Sequence, residues 1–360
     1  MTNPNKLFND ALNAQTSDYH HKAEKLYQKL LKLDPELHAK ATIFYNLGLV
    51  KMSLNKYKEA ATLFERSNLI KYNDENTWCK CLCLLNLKQW EEGIKLFPAR
   101  YGETRHSNTA VRFPNLPIPQ ITDANEAKGK KIIVFNEQGL GDEFLFTTQL
   151  NKLDEIVDHA LVQVSAETID QLNEMYKFKN IELADFNKLT PDFVGDFDQY
   201  IGLADVFISL YEYNTPVVDN RFDPINERKI GVCWTTNLKS PNTEKRSIDP
   251  NILKNLDFDL VSLQYGEGYG EQLGLEDYLP KNTLETWNLL DKLDVVVTVD
   301  TLVAHLAGLK GIPTLLVINK HLDWRWKYRD QEDDRYSMFY PMVEIVDIND
   351  DLNMIINDIL

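Results

Sequence analysis

Hydrophobic positions follow two different rhythms along the chain. In residues 4–100 they recur three and four apart, the spacing of amphipathic helices. The segments HKAEKLYQKLLKLDP (21–35), YKEAATLFERSNLIKYN (57–73) and WEEGIKLFPARY (90–101) align with one another. Each sets a small residue four positions before an aromatic: Ala23 and Tyr27, Ala60 and Phe64, Gly93 and Phe97. The small residues stand 37 and 33 positions apart, so a unit of two helices repeats about three times. FYNLGLVKMSLNKY (44–57) supplies a preceding helix, and its Leu47–Gly48 pair predicts a close helix approach.

The rhythm stops after Arg100. RFPNLPIPQITDANEAKGKK (112–131) holds three prolines within six residues and no apolar period, so 101–130 reads as a linker. From 131 onward, short β-branched runs alternate with helical stretches. KKIIVFN predicts a strand, GDEFLFTTQLNKLDEIV a helix, ALVQVSA a strand, ETIDQLNEMYKF a helix, and FDQYIGLADVFISLY closes a first half, 131–227. The strands RKIGVCW (228–234), FDLVSLQ (258–264), LDVVVTVD (293–300), IPTLLVIN (312–319) and MVEIVDI (342–348) make a second, 228–348, before a terminal helix in 349–360. Such alternation predicts two doubly wound parallel sheets in tandem, with a cleft at the carboxyl ends of their strands.

Composition agrees with a folded protein: 43% apolar and 26% charged over 360 residues. No apolar run reaches the roughly 18 residues of a membrane span. The polar N-terminus has neither a signal peptide nor an Arg-rich transit pattern, so a cytoplasmic location is expected. Net charge is −16 and uneven: residues 1–100 carry 15 Lys and Arg against 11 Asp and Glu, the remainder 24 against 44. With no basic stripe, nucleic acid is a poor partner. Cys79, Cys81 and Cys83 on one helix cannot converge on a metal, and Cys233 stands alone; all four read as reduced packing residues.

Four loops at strand ends carry candidate chemistry. In VFNEQGLGDEF (134–144), Gly139 and Gly141 bend the chain before a helix, Gln138 precedes the bend, and Asp142 either caps that helix or faces a substrate. In VTVDTLVAHLAG (297–308), Asp300 ends a strand while Thr301 and His305 share a face of the next helix's first turn. An anion there would meet free N–H groups, a hydroxyl and an imidazole, although a cap and a packed histidine would give the same spacing. CWTTNLKSPNTEKRS (233–247) brings Thr235, Thr236, Lys239, Lys245 and Arg246 into an acidic half, as a phosphate-closing loop or a merely solvated one. SLQYGEGYGEQ (262–272) offers Gln264, Glu267 and Glu271, where a carboxylate would suit ribose hydroxyls.

Together, NEQGLGDEFLF, GVCWTTN…KRSI, VSLQYG, VDTLVAHLAG and DWRW (323–326), in that order, resemble the glycosyltransferases that join tetratricopeptide repeats to a domain related to ADP-heptose:lipopolysaccharide heptosyltransferases. The resemblance covers nearly the whole chain. It implies a GT-B fold, the acceptor on the first Rossmann-like half and a nucleoside-diphosphate sugar on the second, with no cofactor besides that co-substrate. It also implies that Asp142 is the base of an inverting transfer and that the glycines at 139 and 141 clear space for a ligand. Asp300, Thr301, His305 and Gly308 would surround the donor diphosphate with Thr235, Thr236 and Lys239, and the terminal helix would cross back to the first half.

The chain departs from the pattern at Thr235-Thr236-Asn237, where relatives usually carry a Gly-Asn-Pro-like turn. No Asp-x-Asp strand end of the metal-dependent type occurs, so a metal-independent reaction is expected. The acceptor, whether glycan, protein or small molecule, is left open. The alternatives are a non-catalytic scaffold or nucleotide-binding interaction protein, whose repeats recruit a partner or self-associate, and an epimerase or hydrolase on the same fold.

Overall fold

A computed structural model describes residues 3–105, 111–185, 191–213, 215–217, 227–236, 243–318, 323–326 and 335–360. The chain divides into two compact units, Met1–Pro114 and Asn115–Leu360, so the division falls inside the stretch read as a linker.

The first unit is a run of helical hairpins: α1 (Pro4–Thr16) with α2 (His20–Lys32), α3 (Leu37–Ser53) with α4 (Tyr57–Ile70), and α5 (Asp74–Asn86) with α6 (Trp90–Leu96). Each helix packs on the next. The turn inside each hairpin holds one left-handed residue, Asp18 (φ 59°), Asn55 (φ 57°) and Lys88 (φ 61°), five positions before the small residue of the repeat. Ala23, Tyr27 and Leu30 of α2 interlock with Leu7, Ala11, Phe44 and Leu47 in one core. The Leu47–Gly48 pair acts as expected: a Cβ on Gly48 would stand 2.7 Å from the Phe64 ring, so only glycine lets α3 and α4 approach this closely. The cysteines of α5 are free and buried, and burial pushes the Cys83 thiol up to about 12.

The second unit holds two all-parallel sheets. The first half contributes β1 (Lys131–Phe135), α7 (Leu140–Thr147), α8 (Leu150–Ile156), β2 (His159–Val164), α9 (Ile169–Met175), β3 (Ile181–Asp185), β4 (Gln199–Gly202) and α10 (Leu203–Leu210), with strand order β3-β2-β1-β4. The second contributes β5 (Lys229–Cys233), α11 (Thr243–Arg246), β6 (Asp259–Ser262), α12 (Thr283–Leu290), β7 (Val295–Thr298), α13 (Leu302–Lys310), β8 (Thr314–Ile318), β9 (Val343–Asp347) and α14 (Leu352–Ile359), in the order β6-β5-β7-β8-β9. Central strands are buried on both faces, which is why they read as unbroken apolar runs. The chain is thus a helical repeat unit followed by two Rossmann-like halves, the GT-B class expected. Among the described residues no helix is long and apolar enough to cross a membrane.

Four local expectations change. The helix foreseen over 141–157 is two, because Thr147 and Thr148 turn their hydroxyls back onto the carbonyls of Phe144 (3.1 Å) and Leu145 (2.6 Å) and tighten the chain there. Strand β3, an edge strand with a mostly half-buried pattern, has too weak an alternation to be foreseen. Part of the linker is structured: Tyr200 N–H donates to Pro119 O at 3.0 Å and Ile121 N–H to Tyr200 O at 2.9 Å, extending the sheet beside β4. The terminal helix α14 does not return to the first half as expected; Leu352, Ile355 and Ile356 pack into the core beneath β5, β7 and β8. Asn353 anchors it there, donating to Asn255 O at 2.8 Å and accepting from Asp257 N–H at 3.1 Å.

Candidate active site

In the first sheet the strand order reverses between β1 and β4, and in the second between β5 and β7. Crevices open at the carboxyl ends of strands flanking such reversals. The loops after β1, β5 and β7 are therefore the ones fold topology selects, and in this structure they meet.

After β1 the chain turns through Gln138, held at φ 73°, where a non-glycine residue is strained. Asp142 then occupies the first turn of α7. One carboxylate oxygen caps that turn, accepting from Gly139 N–H at 3.3 Å. The other is ion-paired with Arg325 Nε from the loop after β8. Asp142 thus caps α7, one of the two readings posed for it in the sequence, while its second oxygen meets Arg325. Arg325 also donates from Nη1 to Asp323 Oδ1 at 2.7 Å and from Nη2 to Gln138 Oε1, and lies 4.8 Å over the Trp324 ring. Burial raises the Asp142 carboxyl above its ordinary range, and the Arg325 charge opposes this only in part.

The adjacent Glu143 is fully buried and fixes the loop. It accepts from Ser165 N–H (3.0 Å) and Oγ–H (2.8 Å), from Thr168 Oγ–H and from Asn136 Nδ2. Burial raises its carboxyl, against the pull of these donors.

On the opposite wall, Asp300 joins three elements. Arg246 of α11 donates from Nη2 to Asp300 O at 2.5 Å and brings Nε within 3.0 Å of Asp300 Oδ2, while Trp326 Nε1–H donates to Asp300 Oδ1 at 2.8 Å. Thr301 is the N-cap position of α13, but its hydroxyl pairs with Thr298 Oγ1 at 3.2 Å rather than capping. In the loop after β5, the Thr235 hydroxyl pairs with Ser247 Oγ at 2.8 Å.

Among the described residues, three buried donor atoms of this region have no hydrogen-bond partner: Thr236 Oγ1, Arg246 Nε and Arg325 Nε. The two guanidinium nitrogens sit at ion-pair distance from carboxylates, but their N–H bonds are not aimed at them. Buried unsatisfied polar groups cost about 1–3 kcal/mol each, and two guanidinium N–H groups with a hydroxyl, which can donate or accept, make this region rich in donors.

Other expected site residues have structural jobs instead. His305 is 3% exposed, wedged between Trp326 (centroids 4.6 Å) and Tyr340, whose hydroxyl meets Nδ1 at 2.8 Å. Burial lowers its value to about 3, so it brings no positive charge to a diphosphate. Gly308 is packing too, since a Cβ there would stand 2.6 Å from the Tyr340 ring. Gly141 is packed against protein and clears no ligand space: its Cβ would stand 2.6 Å from His305 Cδ2, whereas one on Gly139 would meet only Asp142 Oδ2 at 3.9 Å. Gln264 braces the β5 loop, accepting from Trp234 N–H (3.1 Å) and Thr235 N–H (2.9 Å). Glu267 is exposed on a loop whose N–H groups at Gly268 and Gly270 are taken by Asp277, and it is not among the side chains gathered here. Lys239 lies outside the described residues.

Sequence reasoning missed Arg325, Trp326, Tyr340 and Glu143 as site residues. DWRW was legible as a motif, and an arginine between tryptophans after a buried strand was the available signal. Nothing comparable marked Tyr340.

No protein-family model and no curated protein matches the chain. Solved structures do, and several are glycosyltransferases. The iron-containing dodecameric glycosyltransferase TibC from enterotoxigenic E. coli H10407 is 18% identical, over 53% of this chain and 58% of that one, with a TM-score of 0.38. A mutant form of Thermobaculum terrenum O-GlcNAc transferase is 14% identical over 90% and 84%, at 0.30. E. coli ADP-heptose lps heptosyltransferase II is 10% identical over 60% and 90%, at 0.41. The chain therefore spans less than two thirds of TibC's length. All three scores are below 0.5, so the chemistry must be read from the residues themselves.

Proposed function

We propose that this chain is a cytoplasmic glycosyltransferase that moves a sugar from a nucleoside-diphosphate donor to an acceptor hydroxyl with inversion. The observation that carries this reading is the set of unsatisfied donors on the strand-end loops: Arg325 Nε beside the Asp142 carboxylate, Arg246 Nε beside Asp300, and Thr236 Oγ1 in the loop after β5. A diphosphate offers several acceptor oxygens and negative charge, which matches that trio. The N-terminus of α13 adds free N–H groups to the same wall.

In the transfer, the acceptor oxygen attacks the anomeric carbon as its proton passes to an Asp142 oxygen. The bond from that carbon to the diphosphate oxygen breaks, and its electron pair leaves with the diphosphate. Arg246 and the hydroxyl of Thr236 stabilise the charge that develops there, a role a divalent ion fills in metal-dependent transferases. The acceptor is any hydroxyl the first half admits, on a glycan, a protein or a small molecule.

The test is thermal unfolding against ADP, UDP, GDP and their sugars. Ligand at a hundred times its Kd adds about 2.7 kcal/mol of stability. Thr236→Val removes an orphaned hydroxyl without stranding a partner, so the free protein should be no less stable while the ligand-induced shift shrinks. No shift with any nucleotide sinks the reading. The pairing of Asp142 with Arg325 also favours a second reading, a nucleotide-binding module without transfer, which predicts the shift but no sugar transfer to any acceptor.

A further inference from the structure

Both oxygens of Asp142 are engaged in this structure, one by Gly139 N–H at 3.3 Å and one by Arg325 Nε. The Arg325 charge beside Oδ1 favours the carboxylate over its protonated form, so it makes Asp142 a weaker base for an acceptor proton. The engagement by Arg325 is of a particular kind. Its Nε–H is buried and has no hydrogen-bond acceptor, so the contact with Asp142 is Coulombic rather than hydrogen-bonded. The other arms of the guanidinium are anchored independently, to Asp323 Oδ1 at 2.7 Å and to Gln138 Oε1. Arg325 can therefore lose Asp142 as a partner without leaving the cleft. Its stacking on Trp324, at 4.8 Å, fixes the plane of the fork as well.

A diphosphate competes for this guanidinium on favourable terms, because it brings more charge and can accept the Nε–H that Asp142 does not. We propose that Arg325 is a shared cation, bound to Asp142 until a donor diphosphate claims it, so that donor binding is the event that frees Asp142 to take the acceptor's proton. This rests on the glycosyltransferase reading. Its consequence is an order: the donor binds first, and an acceptor meeting the protein alone finds the base engaged.

The test is a double-mutant cycle on diphosphate binding, by calorimetry with inorganic pyrophosphate, ADP, UDP and GDP. The proteins are the wild type, Asp142→Asn, Arg325→Met and the double variant. Asp142→Asn releases Arg325 from its competitor and should tighten diphosphate binding about tenfold, within the range of coupling between contacting charges. In the Arg325→Met background the same change should alter affinity less than about twofold. Arg325→Lys keeps the charge without the fork; it should show intermediate coupling, and it replaces the methionine variant if that one does not fold. If Asp142→Asn tightens binding equally in both backgrounds, plain repulsion accounts for it and the exchange is overturned; unchanged or weaker binding overturns it too. A wild type that binds no diphosphate removes the transferase reading and the exchange together, whereas binding without coupling removes the exchange alone.

Discussion

Gly141 leaves room for His305. A Cβ at position 141 would stand 2.6 Å from His305 Cδ2, so the helices α7 and α13 touch through a missing side chain. The imidazole cannot step aside, because Tyr340 holds Nδ1 at 2.8 Å and Trp326 covers its face. Gly141→Ala should therefore cost about 1–3 kcal/mol, the usual penalty of overpacking. Gly139→Ala, with only Asp142 Oδ2 at 3.9 Å, should cost far less. Urea unfolding of the two variants side by side checks the contrast; equal costs would deny the contact.

His305 makes stability depend on pH in a definite direction. Its folded value is lowered from 6.5 to about 3, so as pH falls the unfolded chain takes up this proton first. The contribution is complete above 6.5 and is lost as pH falls from there towards 3, at about 1.4 kcal/mol per pH unit. His305→Gln removes that dependence. The stability advantage of wild type over variant should shrink by about 2 kcal/mol between pH 7.5 and pH 5. A difference that stays constant across those two buffers would show that the imidazole is not held neutral by burial.

Asp142→Asn should lower turnover by about 10²-fold or more, the range for loss of a general base, while diphosphate affinity does not fall. The pH profile carries a second signature. Since burial raises this carboxyl, the wild-type rate should fall on the acid side at a pH above the ordinary aspartate range, near 4. An acid limb at or below 4 would mean that the Arg325 charge outweighs burial.

How much was legible follows from where each signal lives. Parallel strands buried on both faces announce themselves as apolar runs, and a hairpin repeat as a small residue recurring with its aromatic, so Ala23, Ala60 and Gly93 marked the first unit directly. Asp142, Asp300 and Thr236 were legible because strand ends in such folds are where ligands sit. The role of Arg325 was not, since it depends on two loops 183 positions apart, 142 and 325, meeting in space. His305 shows the converse. Its place in the first turn after Thr301 was legible, but whether an imidazole faces a ligand or a phenol depends on Tyr340, and no local pattern reports that contact.

Glu143 offers a test of how the loop bearing Asp142 is held. Its Oε2 accepts from Ser165 N–H, Ser165 Oγ–H and Asn136 Nδ2, and its Oε1 accepts only from Thr168 Oγ–H. Thr168 Oγ–H has a second acceptor available, Ser165 O at 2.8 Å. A glutamine can therefore keep its oxygen on the three donors and turn its amide toward the Thr168 hydroxyl, whose proton goes to Ser165 O. Glu143→Gln should thus cost less than about 1 kcal/mol, whereas Glu143→Ala strands three donors, Ser165 N–H, Ser165 Oγ–H and Asn136 Nδ2, and should cost about 3 kcal/mol or more. Because Asn136 and Asp142 lie on either side of the same turn, the alanine variant should lose more in kcat than in KM, and the glutamine variant little in either. Chemical denaturation and steady-state rates of the pair decide it: equal damage from both would mean that the negative charge, and not the hydrogen-bond geometry, holds the loop.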